Sequence, residues 1–457
     1  MPLKNNPTNN ADLINRSLAS VWHPCTQMKH HEQFALVPIA RGEGAWLIDV
    51  EGNRYLDAVS SWWVNLFGHA NPRINAAIKN QLDQLEHAML AGFTHEPVVE
   101  LSERLSKLTG LGHAFYGSDG ASAVEIALKM SFHYWRNVGQ PTKQKFVSIE
   151  GSYHGETLGA LAVTDVAMFR DAYGLLLNNN LLVPFPNFSK QVETKTPVST
   201  GVLWQKCPGM PVDTGSALAN LFAERADEIA AFIVEPLVQG AAGMRMYPPS
   251  YLQTARELCR QYKVHFIADE IMTGFGRTGT MFACEQANVS PDFMCLSKGI
   301  TGGYLPLSCV LTTDEIYAAF YHDETARGFL HSHSYTGSAL ACRAALATLD
   351  IFAADHVLEQ NHAKSARWLE LAKPISQHSS VKNFRHCGMI FAFDIKSDHP
   401  QFAREFFSRS LQRGVLLRPI GTTVYFMPPY ILQDHEFQWL VAQTLGVIGE
   451  LENAALS

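Results

Sequence analysis

The sequence has no uninterrupted apolar run of about 18 residues, so no stretch of it reads as a membrane span. Its opening, MPLKNNPTNN, lacks the apolar stretch of a secretory signal. There is no basic surplus: the net charge of −7 has the wrong sign for a nucleic-acid binder. None of the 8 cysteines stands in a CxxC pair, and their scatter fits reduced thiols rather than a disulfide framework. No GxGxxG opens a strand–helix unit, which speaks against a dinucleotide-binding dehydrogenase. Internal repeats and low-complexity tracts are absent too. These absences predict a cytoplasmic protein that works on small molecules, with no membrane or nucleic-acid partner.

At 457 residues and 47% hydrophobic, the chain can build two or three domains around a large core. KFVSIE, AAFIVEP, VHFIADE and DFMCLSK are short buried-strand patterns, and AVEIALKMSFHYW and PPSYLQTARELCRQYK have helical spacing. Strands alternating with helices predict a mainly parallel α/β sheet. Residues 190–215 are polar and rich in Pro and Gly, and read as an excursion. After about residue 335 the texture changes to helical runs followed by RHCGMIFAFDI and GVLLRPIGTTVYFMPPYI. The expected division is an N-terminal segment (1–75) that contributes to a small α+β domain, a large domain (76–335), and a C-terminal small domain (336–457).

In FIADE (266–270) an apolar strand runs into two acids, although desolvation penalises a buried charge. Asp269 therefore needs a cationic or hydrogen-bonding partner. A helix cap or a salt bridge to Arg277 is one answer. Lys298, which ends the strand pattern DFMCLSK, suggests another. A desolvated lysine has a lowered pKa, and its neutral amine can form a Schiff base with a carbonyl, although alone it equally fits a lysine snorkelling to water. Pyridoxal phosphate satisfies both residues, because its ring nitrogen wants an acid and its aldehyde wants a lysine. The separation of 29 residues leaves room for a crossover between neighbouring parallel strands.

Such a cofactor also needs a phosphate site. YGSDGASAVEIALKM turns at 117–122 directly into a helix, whose free N–H groups and dipole favour an anion. Gly120 and Ala121 are the candidate donors, with Ser118, Asp119 and Ser122 near; an ordinary capped helix start fits the same residues. In GSYHGET, Tyr153 could lay its ring on a flat cofactor, while His154 reads as a hydrogen-bonding residue rather than a base. FLHSHSYTGSALAC offers His333, Ser332 and Ser334. No further ligand stands at zinc spacing, so no metal is expected.

WHPCTQM (22–28), SSWWVNLFGH, YGSDGAS, SYHGET, FIADEIMTGFGRTG, SKGITGGYLP, HSHSYTGSALAC and LLRPIG occur in that order. From about residue 20 to about 435 the chain resembles the class III pyridoxal-phosphate aminotransferases, and its WHPxTQM and SSWW strings resemble their biotin-pathway branch. The resemblance implies fold type I of the pyridoxal-phosphate transferases and a ping-pong exchange between two substrates. Lys298 would carry the cofactor and shuttle the proton, Asp269 would hold the pyridine nitrogen, and Tyr153 would stack on the ring. Gly120 and Ala121 would hold the phosphate, completed by His333 and Ser334 from the partner subunit of a homodimer. Trp62 and Trp63 would wall the substrate site, although plain core packing fits them as well. Arg418 would pair with a substrate carboxylate, and Ser332, Arg277 and Cys25 would complete the substrate side.

The chain departs from the family at three places. Cys25 stands where relatives that use S-adenosylmethionine carry tyrosine, which leaves S-adenosylmethionine and lysine both open as amino donors. Glu156 replaces an aspartate, and the phosphate turn reads SDGAS rather than DSGS. The rival within enzymes is another class III ω-aminotransferase. A protein that binds the cofactor without turnover would not require both Lys298 and Asp269.

Overall fold

A computed structural model describes residues 9–34, 36–186 and 214–456. The predicted excursion lies outside the described residues except at its end, where Thr214 begins a helix. The chain forms two compact units: residues 72–366 with 383–392, and residues 1–71 with 367–382 and 393–457. Residues 336–366, assigned above to the small domain, belong to the larger unit. Their helix Ala339–Ala354 packs on helices Pro72–Leu82 and Glu96–Thr109, and its small residues allow close approach.

The larger unit is built on seven strands: β1 (His113–Gly117), β2 (Lys145–Ile149), β3 (Leu181–Val183), β4 (Ile229–Val234), β5 (His265–Asp269), β6 (Phe293–Leu296) and β7 (Ser308–Thr312). They lie in the order β1-β7-β6-β5-β4-β2-β3. Only β7 runs against its neighbours; β6, β5, β4, β2 and β3 are mutually parallel. Every residue of β4, β5, β6 and β7 is buried, as expected for strands covered on both faces. Helix α1 (Gly120–Asn137) follows β1 and covers the sheet with Ala123, Ile126, Ala127, Met130 and Tyr134, a stripe at helical spacing. Burying a side chain of the size of Ile126 or Met130 contributes about 1.5–3 kcal/mol.

In the parallel register Ala268 lies beside Val234, and Asp269 beside Cys295. The residues that follow β4 and β6, including Glu235 and Lys298, therefore leave the sheet at the same end as Asp269. That carboxyl end is where open α/β sheets gather ligands.

In the smaller unit the strands Ile39–Glu43, Trp46–Asp49 and Arg54–Asp57 form an antiparallel meander. Val415–Leu416 adds to it in parallel, which joins the two ends of the chain in one sheet. Trp368 stacks on Phe437 at 4.3 Å and donates Nε1–H to Asp434.

Candidate active site

Asp269 ends β5 almost fully buried, and its partner is neither a helix terminus nor Arg277. His154 Nδ1 lies 2.7 Å from Asp269 Oδ2, while Oδ1 accepts the Ile271 N–H at 3.2 Å. A carboxylate has about four acceptor positions, so Asp269 keeps capacity for a further donor. His154 sits in the SYHGET turn, where its backbone N–H is fixed by the Thr164 hydroxyl at 2.9 Å. Its other ring nitrogen, Nε2, is buried with no hydrogen-bond partner among the described residues.

Lys298 follows β6 with a backbone φ of 46°, an uncommon conformation for a side chain of this size. Desolvation lowers its pKa to about 8, against the opposing pull of Asp269 and Glu235, and the Arg277 guanidinium lowers it further. A usable fraction of Nζ is therefore a neutral amine near neutral pH. Arg277 is itself buried, and its backbone oxygen accepts the Met389 N–H at 2.9 Å.

Two neighbouring acids play parts the sequence reading did not assign. Glu235, one residue past β4, accepts the Tyr153 N–H at 3.0 Å and the Gly240 N–H at 2.9 Å. Burial pushes its pKa up to about 7, and the charge on Asp269 pushes the same way. AAFIVEP carries the same signal as FIADE, an acid closing an apolar strand, and could have revealed it. Glu270, the second acid of FIADE, is 0% exposed and braces the glycine-rich loop. It accepts from the Thr273 hydroxyl at 2.5 Å and from the Cys284 N–H at 2.8 Å.

At the start of α1, Asp119 Oδ1 accepts the Ser122 N–H at 2.8 Å, so the cap occupies that donor. The Gly120 and Ala121 N–H groups meet no acceptor among the described residues and remain available. Gly155 of the SYHGET turn has φ +123°, and a Cβ there would come within 2.6 Å of Ala121 Cβ. Only glycine lets the two turns approach this closely. Tyr153 donates its hydroxyl to Glu156 Oε1 at 2.8 Å.

His333 Nδ1 lies 3.1 Å from Ser118 Oγ, so one chain already brings this histidine to the turn that opens α1. Thr336 ties the loop through the His333 N–H and C=O, and Ser332 and Ser334 are exposed. Among the described residues no group of three His, Cys, Asp or Glu side chains could hold a metal ion.

The remaining candidates belong to the smaller unit. Trp63 is 5% exposed and donates Nε1–H to Tyr425 Oη at 3.0 Å, which is interior packing. Trp62, its neighbour, is 45% exposed, and the exposed Arg418 lies over its ring at 4.8 Å from the centroid. Cys25 is exposed in a turn with φ 53°.

The family profile described as Aminotransferase class-III matches residues 27–446. The chain belongs to the class III aminotransferases. It is 46% identical over 441 residues to the adenosylmethionine-8-amino-7-oxononanoate aminotransferase of Helicobacter pylori, covering 95% of this chain and 97% of that one. The crystal structure of the Methanocaldococcus jannaschii enzyme of the same name is similar, with a TM-score of 0.89 and 34% identity, covering 97% of this chain and 99% of that one. An amine transaminase from an uncultivated Pseudomonas species, in its PLP-bound form, superimposes with a TM-score of 0.85 at 31% identity, covering 94% and 98%.

This aminotransferase has the α/β fold of the pyridoxal-phosphate transferases, and its cofactor is pyridoxal phosphate. The donor set fits that group. It has a buried acid with spare acceptor capacity, a lysine of lowered pKa, and two open N–H groups at a helix start.

Proposed function

We propose that this aminotransferase moves an amino group from S-adenosylmethionine to 8-amino-7-oxononanoate, giving 7,8-diaminononanoate for biotin synthesis. The observation that carries the reading is joint: Lys298 and Asp269 share one strand-end site, and several relatives bearing that enzyme name match more than nine-tenths of the chain.

The residues divide the work. When bound, pyridoxal phosphate supplies the electrophilic carbonyl and the electron sink. Lys298 Nζ holds the cofactor and then removes the proton from the amino-bearing carbon of the donor. Asp269 holds the ring nitrogen, with its orientation fixed by His154. The Gly120 and Ala121 N–H groups take the phosphate; His333 borders that site from its own chain, through Ser118, rather than from the partner subunit of a homodimer, and Ser334 stands beside it. Tyr153 lies on the ring face, and Arg277 tunes the charge at Lys298. Trp62 and Arg418 receive the carbon chain and carboxylate of the substrate, with Trp63 as backing and Cys25 and Ser332 at the margin. Cytoplasmic location fits a substrate made and used inside the cell.

A half-reaction tests the donor. S-adenosylmethionine, added alone to the purified protein, is expected to bleach the visible band of the bound cofactor, and lysine is expected to leave it unchanged. Bleaching by lysine alone would overturn the donor assignment. A band untouched by either would overturn the biotin-pathway reading.

A further inference from the structure

Residues 60–63, Ser-Ser-Trp-Trp, form a turn that runs left-handed throughout, with φ values of 52°, 46°, 73° and 73°. L-residues normally visit this conformation singly, because Cβ crowds the following carbonyl, and none of the four is glycine. The turn closes with its own hydrogen bonds, from Val64 N–H to Ser60 O at 3.0 Å and from Asn65 N–H to the same oxygen at 3.1 Å.

Asp57, 0% exposed, holds it. Its Oδ1 accepts the Ser61 N–H at 2.8 Å, and its Oδ2 accepts the Ser61 hydroxyl at 2.7 Å. His69 Nε2 lies 3.0 Å from the same Oδ2, and His69 Nδ1 lies 3.2 Å from Asn65 Nδ2. Because Asn65 Nδ2 can only donate, His69 accepts at Nδ1 and donates from Nε2 to Asp57. On the other side the Ser60 hydroxyl donates to Met427 O at 2.7 Å. The turn thus sends the first tryptophan outward and the next inward. Trp63 is locked to Tyr425, while Trp62 stands exposed with the Arg418 guanidinium on its face. A strained segment this thoroughly tied, holding one large ring exposed, is the pattern of a preformed ligand contact.

We propose that Asp57, seconded by His69, is a positioning residue for substrate specificity. It keeps the left-handed turn in place so that Trp62 and Arg418 form a preset clamp for a substrate combining an apolar chain with a carboxylate. This rests on the reading that Trp62 and Arg418 meet the substrate.

The test is a double-mutant cycle in the holoenzyme with Asp57→Asn, Trp62→Ala and the double variant, reading acceptor KM, kcat and the cofactor absorbance. Asp57→Asn keeps an acceptor for the Ser61 N–H but turns a donor toward the Ser61 hydroxyl and His69. It is expected to raise the acceptor KM about tenfold, with kcat within about twofold and the cofactor band unchanged. Trp62→Ala should raise KM comparably, and the double variant should be no worse than Trp62→Ala. If Trp62→Ala raises KM and Asp57→Asn does not, or if the two effects add in full, the positioning role is overturned while the clamp stands. If Trp62→Ala leaves KM unchanged, the substrate reading falls and the positioning role falls with it. Should Asp57→Asn fail to fold, His69→Gln is read through the same cycle, and adding Ser61→Gly to Asp57→Asn should restore folding because glycine accepts φ 46° without strain.

Discussion

Each unit of the molecule contains a buried aspartate paired with a histidine, and the two pairs do opposite things. In the larger unit Asp269 meets His154 at 2.7 Å and otherwise accepts one long backbone hydrogen bond. In the smaller unit Asp57 meets His69 at 3.0 Å and also takes the backbone N–H and the hydroxyl of Ser61. The first acid keeps capacity and stands at the end of a parallel strand, where ligands collect. The second has three of its roughly four acceptor positions taken by protein donors and spends its charge on a backbone that would otherwise unwind. A buried acid's role is thus read from how many of its acceptor positions the protein has already filled.

The largest effect expected from breaking this contrast is at the reactive end of the first region. Lys298→Ala should lower turnover by about 10³-fold or more while leaving the fold intact, as steady-state rates and circular dichroism would show. Next comes removal of each acid. Asp269→Ala should lose turnover by about 10²-fold or more and release the cofactor, seen as loss of visible absorbance after dialysis. It also leaves His154 Nδ1 buried without its acceptor, costing about 1–3 kcal/mol. Asp57→Ala should cost at least as much stability, since four left-handed residues lose their anchor at roughly 1 kcal/mol or more each when unsupported. Its cofactor band should survive dialysis. Cofactor loss from Asp57→Ala, or retention by Asp269→Ala, would erase the distinction.

The first region was legible in the sequence and the second largely was not. FIADE, DFMCLSK and YGSDGASAVEIALKM each join a local pattern to a residue whose chemistry is conspicuous there, so strand end, lysine and helix-start turn could be picked out together. Glu235 was missed although AAFIVEP has the same form, because a single acid after a strand names no partner. SSWW showed two tryptophans, but nothing in the string says that its backbone is left-handed. That conformation is imposed by Asp57, His69 and Met427, and contacts between residues as far apart as 60 and 427 leave no local period. For the same reason Trp62 and Trp63 read as equivalent in sequence, whereas the turn sends only one of them outward.

Glu270 offers the smallest and sharpest test of the saturation argument, because it sits beside Asp269 yet faces inward to Thr273 and Cys284. Burial outweighs those hydrogen bonds and raises its pKa from 4.5 to about 7. The unfolded chain therefore gives up this proton near 4.5, while the folded protein keeps it to about 7. Across that window the unfolded state binds fewer protons, so stability must fall as pH rises, with the full penalty present above about 7. Glu270→Gln stays neutral throughout and removes that slope. Its melting temperature relative to the parent should therefore climb by about 2 °C or more between the two ends of the window. Parallel melting curves would mean that Glu270 ionises as freely as an exposed acid, and that the donors of Thr273, Ala283 and Cys284 offset its burial after all. Saturation alone would then separate the structural acids from Asp269.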